Sequence, residues 1–177
     1  MSPVTDADTV RTRIPAAERR ELVLDAAVIE FGDHGWHGAR VEAIAARAGI
    51  SHPYLMRISS KRNLFVDAMD RAFDRMEASF TEAVTASPEA DPIVTIGEAH
   101  RRLLIEDGAV MRLHMHALAV ASDDDVGAAV RDRVGRFFDR LRDLTGASED
   151  RIRTCFAVGL AYAAFVTLDL PEKDGHL

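Results

Sequence analysis

The sequence predicts an all-α protein, with a three-helix unit that contains a helix-turn-helix near its amino end and a larger helical domain after it. Apolar residues recur at spacings of three and four along most of the chain, which is the period of an amphipathic helix. Runs that alternate β-branched or aromatic residues with polar ones, which are typical of strands, are scarce. Gly49 lies between two short helical patterns, as the turn of a helix-turn-helix requires.

The chain divides at changes of charge and at breaker residues. Residues 1–15 are expected to be a disordered arm, and residues 16–62 form the predicted helix-turn-helix domain. Residues 63–177 form the predicted second domain, which begins with a connector helix at residues 63–85 and continues beyond the breaker TASPEADP.

Cap and breaker residues delimit the three helices of the first domain. The first helix is predicted at Ala16–His34, and the following GWHGAR is predicted to be a loop whose Trp36 folds back over the core. The second helix is predicted at Val41–Ala48. Ser51 is suited to cap a third helix that carries a proline in its first turn.

The second domain contains four further predicted helices after the connector, each bounded by a cap residue, a glycine or an acidic cluster. Their expected spans are Pro92–Ile105, Ala109–Ala121, Asp125–Leu144 and Glu149–Leu168.

The composition limits the class of protein. Cys155 is the only cysteine, which excludes a disulfide scaffold and favours a reducing compartment. No apolar run reaches the roughly 18 residues of a membrane span, and the polar start does not look like a signal peptide. We therefore expect a soluble, cytoplasmic protein without a membrane partner.

The formal charge of -7 is unevenly distributed. Residues 40–62 hold five basic residues and one acidic residue, Glu42, whereas residues 63–177 are strongly acidic. Surfaces that bind phosphate concentrate Lys and Arg. Residues 40–62 are therefore the part of the chain suited to an anionic partner, and the two domains are expected to meet different partners.

The residues around Gly49 match the requirements of a helix-turn-helix. Two helices that cross steeply through a short turn favour a glycine that can adopt positive φ, and a small residue, here Ala45, where they touch. The other positions expected on the buried side are Ile44, Ala48, Ile50, Leu55 and Ile58.

The segments RRELVLDAAVIEFGDHGWHGARVEAIAARAGISHPYL and SKRNLFVDAMDRAF resemble the amino-terminal domain of the tetracycline-repressor (TetR) family over roughly residues 17–70. The resemblance implies a homodimeric, one-component transcription regulator, whose first three helices bind double-stranded, near-palindromic operator DNA. It also implies a variable helical domain that binds a small molecule and dimerises through its last two helices. The matching positions are Ala26, Ala27, Phe31, Gly35, Ile44, Ala45, Ala48, Gly49, Ile50, Ser51, Ser60, Lys61 and Leu64.

The chain departs from the family pattern at the end of the third helix. Family members commonly read L-Y-x-x-F-x-x-K, with the Tyr on a phosphate and the Phe in the small core. Here Met56 follows Leu55, and Lys61 comes one residue early. Ile58 is the candidate for the place of the Phe, and Tyr54 for supplying a hydroxyl.

The exposed face of the third helix is predicted to read bases, because residues at the amino end of a recognition helix reach base edges in the major groove. Arg57 is the candidate for guanine, His52 for a purine N7 or a phosphate, and Lys61 for the backbone. The predicted DNA-binding set is Arg40, Arg47, Ser51, His52, Pro53, Tyr54, Met56, Arg57 and Lys61.

Some of these residues have an alternative interpretation. Charged residues at helical spacing are often only a solvated face, and it is the pattern around Gly49 that favours DNA contact. For Tyr54, core packing and DNA contact are both open. A further basic cluster is suited to phosphates or the minor groove, and it consists of Arg11, Arg13, Arg19 and Arg20.

An effector of the family type, expected to be a small apolar or amphipathic molecule, would lie among the helices of residues 92–121. The same residues are also compatible with plain core. His114 and His116 are two positions apart and point in different directions on a helix, so we predict no metal site and no cofactor. The candidate pocket residues are His100, Leu103, Leu104, Met111, His114, Met115 and Leu118.

The last two predicted helices are more apolar than the edge of a monomer requires, so a four-helix bundle with a second copy is expected. The candidate interface residues are Val130, Val134, Phe137, Phe138, Leu141, Ile152, Phe156, Leu160, Ala163 and Ala164.

The sequence therefore predicts a transcriptional regulator, with a repressor released by an effector as the family-type mechanism. A ligand-independent DNA-binding or adaptor protein, whose second domain only dimerises or binds a protein, stays open. An all-helical enzyme is disfavoured because we find no nucleophile with a base, no phosphate loop and no metal-ligand spacing.

Overall fold

A computed structural model describes residues 15–168 of the chain, and within this range it contains eight α-helices and no strand. The all-α prediction is thus confirmed. Residues 1–14, which include most of the predicted arm with Arg11 and Arg13, and residues 169–177 lie outside the described range. The helices are α1 (Ala16–Gly38), α2 (Val41–Arg47), α3 (His52–Ile58), α4 (Lys61–Ala86), α5 (Pro92–Glu106), α6 (Gly108–Ala119), α7 (Gly127–Thr145) and α8 (Glu149–Thr167).

Side-chain caps define several helix starts. The side chains of Ser51, Asp91 and Ser148 each accept a hydrogen bond from a backbone N–H in the first turn, at 3.3, 2.9 and 3.4 Å respectively. Each bond satisfies a donor that the helix itself leaves unpaired, and it confirms the predicted starts of α3, α5 and α8. Ser60 caps α4 in the same way, so α4 begins at Lys61, two residues before its predicted start.

The predicted loop after the first helix is wrong in part. Residues Trp36–Gly38 form one more helical turn of α1, which continues across a kink at Gly35, where φ is 66°. The kink aims Trp36 back into the core, where its ring centroid lies 5.3 Å from that of Phe65. Trp36 therefore covers the three-helix core as predicted, but it does so from a helical turn.

Helix α4 passes through two aromatic clusters. Near its amino end, the ring of Phe65 packs edge-on against Phe31 of α1, with 5.2 Å between centroids. Further along, Phe73 and Phe80 pack against Phe137 of α7 at 5.2 and 6.2 Å. All five rings are buried. Helix α4 therefore packs against both α1 and α7 through aromatic side chains.

The first domain is also seated directly on α6. A Cβ atom added to Gly32 of α1 would lie 2.6 Å from the backbone oxygen of Ala109, so only glycine allows this close approach. An ion pair between Arg112 and Asp33 lies beside the contact. Helix α1 is therefore sensitive to any shift of α6.

Ion pairs join α4 to α1 on one side. Arg71 bonds to Glu21 at 2.7 Å, and Arg75 bonds to Asp25 at 2.7 Å. Because Glu21 is exposed and the other three side chains are only half-buried, water screens these pairs and each contributes little energy by itself. Together they align the basic side of α4 with the acidic side of α1.

On its other side α4 holds a buried arginine of α7. The guanidinium of Arg133 bonds to Asp70 at 3.1 Å, Asp74 at 2.8 Å and Glu77 at 2.7 Å, and it lies 4.8 Å from the ring centroid of Phe73. Only 4% of Arg133 is exposed. Burial raises the pKa of the Asp70 carboxyl, although the charge of Arg133 opposes that shift. The three carboxylates supply the partners that a buried guanidinium needs.

None of the helices within residues 15–168 has both the length and the apolar character needed to cross a lipid bilayer.

Candidate DNA-binding surface and effector region

The turn between α2 and α3 closes with two backbone hydrogen bonds. The N–H of Ile50 donates to the oxygen of Ala45 at 3.0 Å, and the N–H of Gly49 donates to that of Ala46 at 3.2 Å. This pair of bonds is a Schellman motif, which requires positive φ at the residue after the helix. Gly49 has a φ of 68°, so the glycine is needed for its backbone conformation and not for lack of space.

Helix α3 buries a single residue completely and exposes most of the others. Leu55 is fully buried, whereas Ser51, Pro53, Met56 and Arg57 are exposed. A short helix anchored by one leucine and held by a cap at its start presents its outer face as a rigid surface. That face carries the residues that were predicted to read bases.

The prediction for Ile58 is wrong. Its side chain is 53% exposed, so it neither joins the buried side of the helix-turn-helix nor takes the place of the family's Phe. Helix α3 ends at Ile58 and extended backbone follows at Ser59, which turns the side chain away from the core. Trp36 and Phe65 fill the core beside α4 instead.

Two side chains of α3 are held by neighbours. His52 lies with Nε2 3.5 Å from a carboxylate oxygen of Glu42 on α2. The ring of Tyr54, which is half-buried, lies 5.2 Å from the guanidinium carbon of Arg57 and 5.7 Å from that of Arg19 on α1. Tyr54 thus packs within the protein and still borders the exposed face.

Three basic residues flank the exposed face. Arg40 and Arg47 are exposed at the two ends of α2. Lys61 starts α4, with Nζ 5.1 Å from the ring centroid of Trp36 and 3.4 Å from the backbone oxygen of His37. A lysine held in this way keeps its charge near the surface at a defined place.

The second domain contains a histidine without a hydrogen-bond partner. His114 is 2% exposed, and within the described part of the chain neither of its ring nitrogens is bonded. Rings of Phe73, Phe137 and Phe156 surround it, with centroids 5.1, 6.4 and 6.0 Å away. Burial first, and then the nearby His100, lower the pKa of His114 to about 4. The imidazole is therefore neutral at neutral pH.

The other predicted effector residues lie at different depths in the structure. His100 and Met111 are buried, and burial lowers the pKa of His100. Half-buried positions are occupied by Leu103, Leu104, Met115 and Leu118.

Two surface clefts stand out on the described residues, and neither is lined by the predicted effector residues. One, of about 470 Å³, lies between α7 and α8 and includes Val134, Phe138 and Ile152. The other, of about 530 Å³, lies between α4 and α7 beside the carboxylates of Asp74 and Glu77. His114 is not among the lining residues of either cleft.

Half of the predicted dimer residues belong to the core of the single chain. The residues Val134, Phe138, Phe156, Leu160 and Ala164 are half-buried and remain accessible. The other five residues are buried within the single chain, because α7 and α8 turn them toward α4, α5 and one another, so their prediction as interface residues is corrected. These five residues are Val130, Phe137, Leu141, Ile152 and Ala163. Further apolar side chains are exposed on and just after α8, namely Val158, Phe165, Val166 and Leu168.

Comparison with known proteins assigns the amino-terminal part of the chain. Residues 23–68 match the model of the family described as bacterial regulatory proteins, tetR family. The matched segment contains the whole helix-turn-helix, from the body of α1 to the first turns of α4. The amino-terminal domain is therefore similar to the TetR family over these residues. The resemblance inferred from the sequence is thereby confirmed.

Relatives extend the similarity beyond this domain. The chain is 36% identical over 78 residues to the HTH-type transcriptional activator FasR of Mycolicibacterium smegmatis, a match that covers 44% of this chain and 36% of FasR. A TetR-like transcriptional regulator from Rhodococcus sp. RHA1 is 28% identical, with 90% of each chain covered and a TM-score of 0.63. A TetR-family member from Streptomyces coelicolor A3 has the same fold, with a TM-score of 0.67 at 24% identity over 88% of this chain and 91% of that one.

The TetR-type domain keeps its core despite the departure after Leu55. Met56 is exposed at the position where family members commonly have a Tyr. Tyr54 lies two residues earlier on α3, with its ring against Arg19 and Arg57. The loss of one residue shortens the link between α3 and α4 to Ser59 and Ser60, and both helices retain their caps.

Sequence reasoning missed two buried charged residues that organise the packing of this chain. Glu30 is 3% exposed and accepts a hydrogen bond at 3.0 Å from the N–H of Arg40, which fixes the start of α2. Its signal was an acid beside Phe31 on an apolar helix face. Arg133 carried a weaker signal, a basic residue among the valines of α7 opposite the acids of α4.

Proposed function

We propose that the chain is a DNA-binding transcriptional regulator and acts as a repressor that a small-molecule effector releases from its operator. The observation that carries the proposal is the exposed face of α3, which carries Arg57, is flanked by Arg40, Arg47 and Lys61, and follows the turn at Gly49 in the segment that matches the TetR family. A protein of this kind acts on DNA in the bacterial cytoplasm, and no enzymatic role is proposed.

The proposed contacts divide into base reading and backbone positioning. The first group consists of Ser51, His52, Pro53, Met56 and Arg57 on the outer face of α3, with Arg57 as the guanine reader. The second group consists of Arg40, Arg47 and Lys61, whose charges would bind phosphates without regard to sequence. Tyr54 borders both groups.

Two copies are required to read a near-palindromic operator. Recognition helices of such dimers lie about 34 to 36 Å apart, one turn of DNA. The accessible apolar side chains of α7 and α8, with Phe138 and Val158 among them, offer the surface for a second copy.

The effector is proposed to be an amphipathic molecule with a hydrogen-bonding group. A buried imidazole without a partner costs about 1 to 3 kcal/mol, and a ligand that pairs with His114 would recover that energy. Entry at this point would displace α6, whose Ala109 presses on Gly32 of the DNA-binding domain. Helix α4 would then transmit the shift as a lever. Release requires only that the ligand prefers the non-binding state by a few kcal/mol.

An operator selected from random DNA, followed by a salt series, tests the proposed function. We expect binding that weakens steeply as salt rises, because phosphate contacts release counterions. Arg57→Ala is expected to reduce discrimination at one half-site position by about 1 to 3 kcal/mol, whereas Lys61→Ala weakens binding to all sequences alike. Affinity that ignores salt, or equal loss on every sequence from Arg57→Ala, would contradict the assignment.

Thermal shifts across a panel of metabolites distinguish an effector-controlled regulator from a ligand-independent DNA-binding or adaptor protein. A compound that stabilises the native chain but not His114→Leu supports the proposed site. If every compound in the panel leaves the melting temperature unchanged, the ligand-independent alternative is favoured.

An activator is the second candidate, because the relative FasR is named as a transcriptional activator. Expression of a reporter gene behind the selected operator, with and without the chain, separates the two. Higher expression in the presence of the chain would replace the repressor proposal by the activator one.

A further inference from the structure

The ring of Tyr54 contacts two guanidinium groups, those of Arg57 and Arg19. The guanidinium carbons of Arg57 and Arg19 lie 5.2 and 5.7 Å from the ring centroid of Tyr54, and Nη1 of Arg19 lies within 3.4 Å of the Tyr54 hydroxyl, to which it donates. Arg19 belongs to α1, whereas Tyr54 and Arg57 are three residues apart on α3 and share one side of that helix.

The ring limits the freedom of Arg57 without using its donors. An exposed arginine has about 2 kcal/mol of rotamer entropy to lose when it binds, and contact with an aromatic face restricts it beforehand. Arg57 forms no ion pair with any described residue, so its N–H groups remain available. A guanidinium held in this way matches what bidentate reading of a base needs.

The ring itself is fixed from two directions. The backbone N–H of Tyr54 is bound by the capping Ser51, which sets the first turn of α3. Its hydroxyl is bound by Arg19, which ties the far end of the ring to α1. Tyr54 therefore connects the scaffold of the domain to the side chain of Arg57.

We propose that Tyr54 is a positioning residue, which orients Arg57 for base recognition through its ring and does not itself need to touch DNA. This inference rests on the proposed function, and it adds the residue on which sequence discrimination by Arg57 depends. Loss of the ring leaves the charge of Arg57 in place. Discrimination between bases therefore falls, while the dependence of binding on salt stays the same.

The experiment compares the selected operator with a second duplex that differs at the position whose preference Arg57→Ala removes. The dissociation constant for the altered duplex is divided by that for the selected operator, and this discrimination ratio is measured for the full-length chain, for Tyr54→Leu and for Tyr54→Phe. We expect Tyr54→Leu to lower this ratio about two- to fivefold, the strength of an exposed cation–π contact, and Tyr54→Phe to restore it, because the ring is retained. In the Arg57→Ala background, Tyr54→Leu should lower the ratio no further.

Tyr162→Leu is the matched control, since Arg101 lies 5.1 Å from the ring of Tyr162 in the second domain, away from α3. It should leave the ratio unchanged. Melting curves establish that each variant is folded. If Tyr54→Leu does not fold, Tyr54→Gln replaces it. Independently of any variant, the chemical shifts of the Arg57 side-chain protons in the free protein report whether the ring of Tyr54 lies against them.

Several outcomes overturn the inference. An unchanged ratio in Tyr54→Leu, while Arg57→Ala lowers it, removes the positioning role and leaves the proposed function intact. Equal weakening on both duplexes by Tyr54→Phe and Tyr54→Leu means that the hydroxyl contacts a phosphate, which also rejects the inference. Arg57 protons that lack any ring-current shift reject it as well. Native protein without sequence preference would instead refute the proposed function.

Discussion

The helix-turn-helix of residues 41–58 and the helical domain of residues 92–167 place their polar groups in opposite ways. In the first, polar and basic side chains point outward, and the ends of the helices are satisfied by Ser51 and by the turn at Gly49. In the second, His100, His114 and Arg133 are buried. The first region therefore presents a rigid polar surface. The second region contains buried polar groups, whose protonation state and contribution to stability depend on the side chains packed around them.

The largest expected effect is a loss of stability of the second region as the pH falls. In the unfolded chain a histidine binds its proton below about pH 6.5, whereas folded His114 stays neutral until about pH 4. The unfolded state therefore binds more protons between these values. The free energy of unfolding should drop by about 3 kcal/mol as the pH falls from 7 to 4, measured by urea denaturation.

His114→Leu serves as the control for this prediction. The difference between the native chain and the variant isolates His114 from His100 and from the carboxylates that titrate in the same range. The variant should also be more stable by about 1 kcal/mol at pH 7, because an unpaired buried polar group is removed. Parallel pH profiles for the two proteins would show that His114 is not buried as described.

Arg133→Met tests whether buried charge in the second region stabilises the protein when it is fully paired. Its removal leaves Asp70, Asp74 and Glu77 without their common partner, and we expect a loss of about 2 kcal/mol. The figure is moderate because two of the carboxylates are well exposed to water. Arg153→Met, at a surface arginine paired with Glu149, should cost less than about 0.5 kcal/mol in the same denaturation experiment. Equal losses of unfolding free energy in the two variants would show that burial of the paired Arg133 makes no difference to its contribution.

The smallest effect concerns the rigid turn of the first region. Gly49→Ala forces a side chain into a φ of 68° and should cost about 1 kcal/mol of unfolding free energy. Gly97→Ala is the matched change inside α5, where no atom lies within 4 Å of the added Cβ, and it should stabilise by about 0.5 to 1 kcal/mol. Thermal melts of both variants check the opposite signs. A stabilising Gly49→Ala would show that the turn does not need its glycine.

Local signals predicted the elements of both regions but not their contacts. Ser51, Asp91 and Ser148 act as caps as expected, because a cap depends on residues only two or three positions away. Ile58 was expected to be buried because its spacing fits the apolar side of α3. The helix ends there, however, and a change of backbone direction overrides helical spacing.

For the candidate site as well, the sequence predicted local features but not the contacts between distant residues. The exposure of Ser51, Met56 and Arg57 follows from their positions on α3 relative to Leu55, which periodicity alone determines. The contact of Tyr54 with Arg19 joins positions 35 residues apart, and nothing in the sequence near either residue indicates it. Apolar spacing likewise could not divide the α7 and α8 residues between the core and an external surface.

By itself the sequence determined the helices, the turn at Gly49 and the concentration of basic residues in residues 40–62, because these depend on backbone preferences and side chains close along the chain. Only the tertiary structure decided that Arg133 meets three carboxylates of α4, that His114 has no hydrogen-bond partner among residues 15–168, and which apolar residues of α8 face water. The physical reason is that burial of a group is set by all the helices packed around it, whose arrangement no single segment encodes.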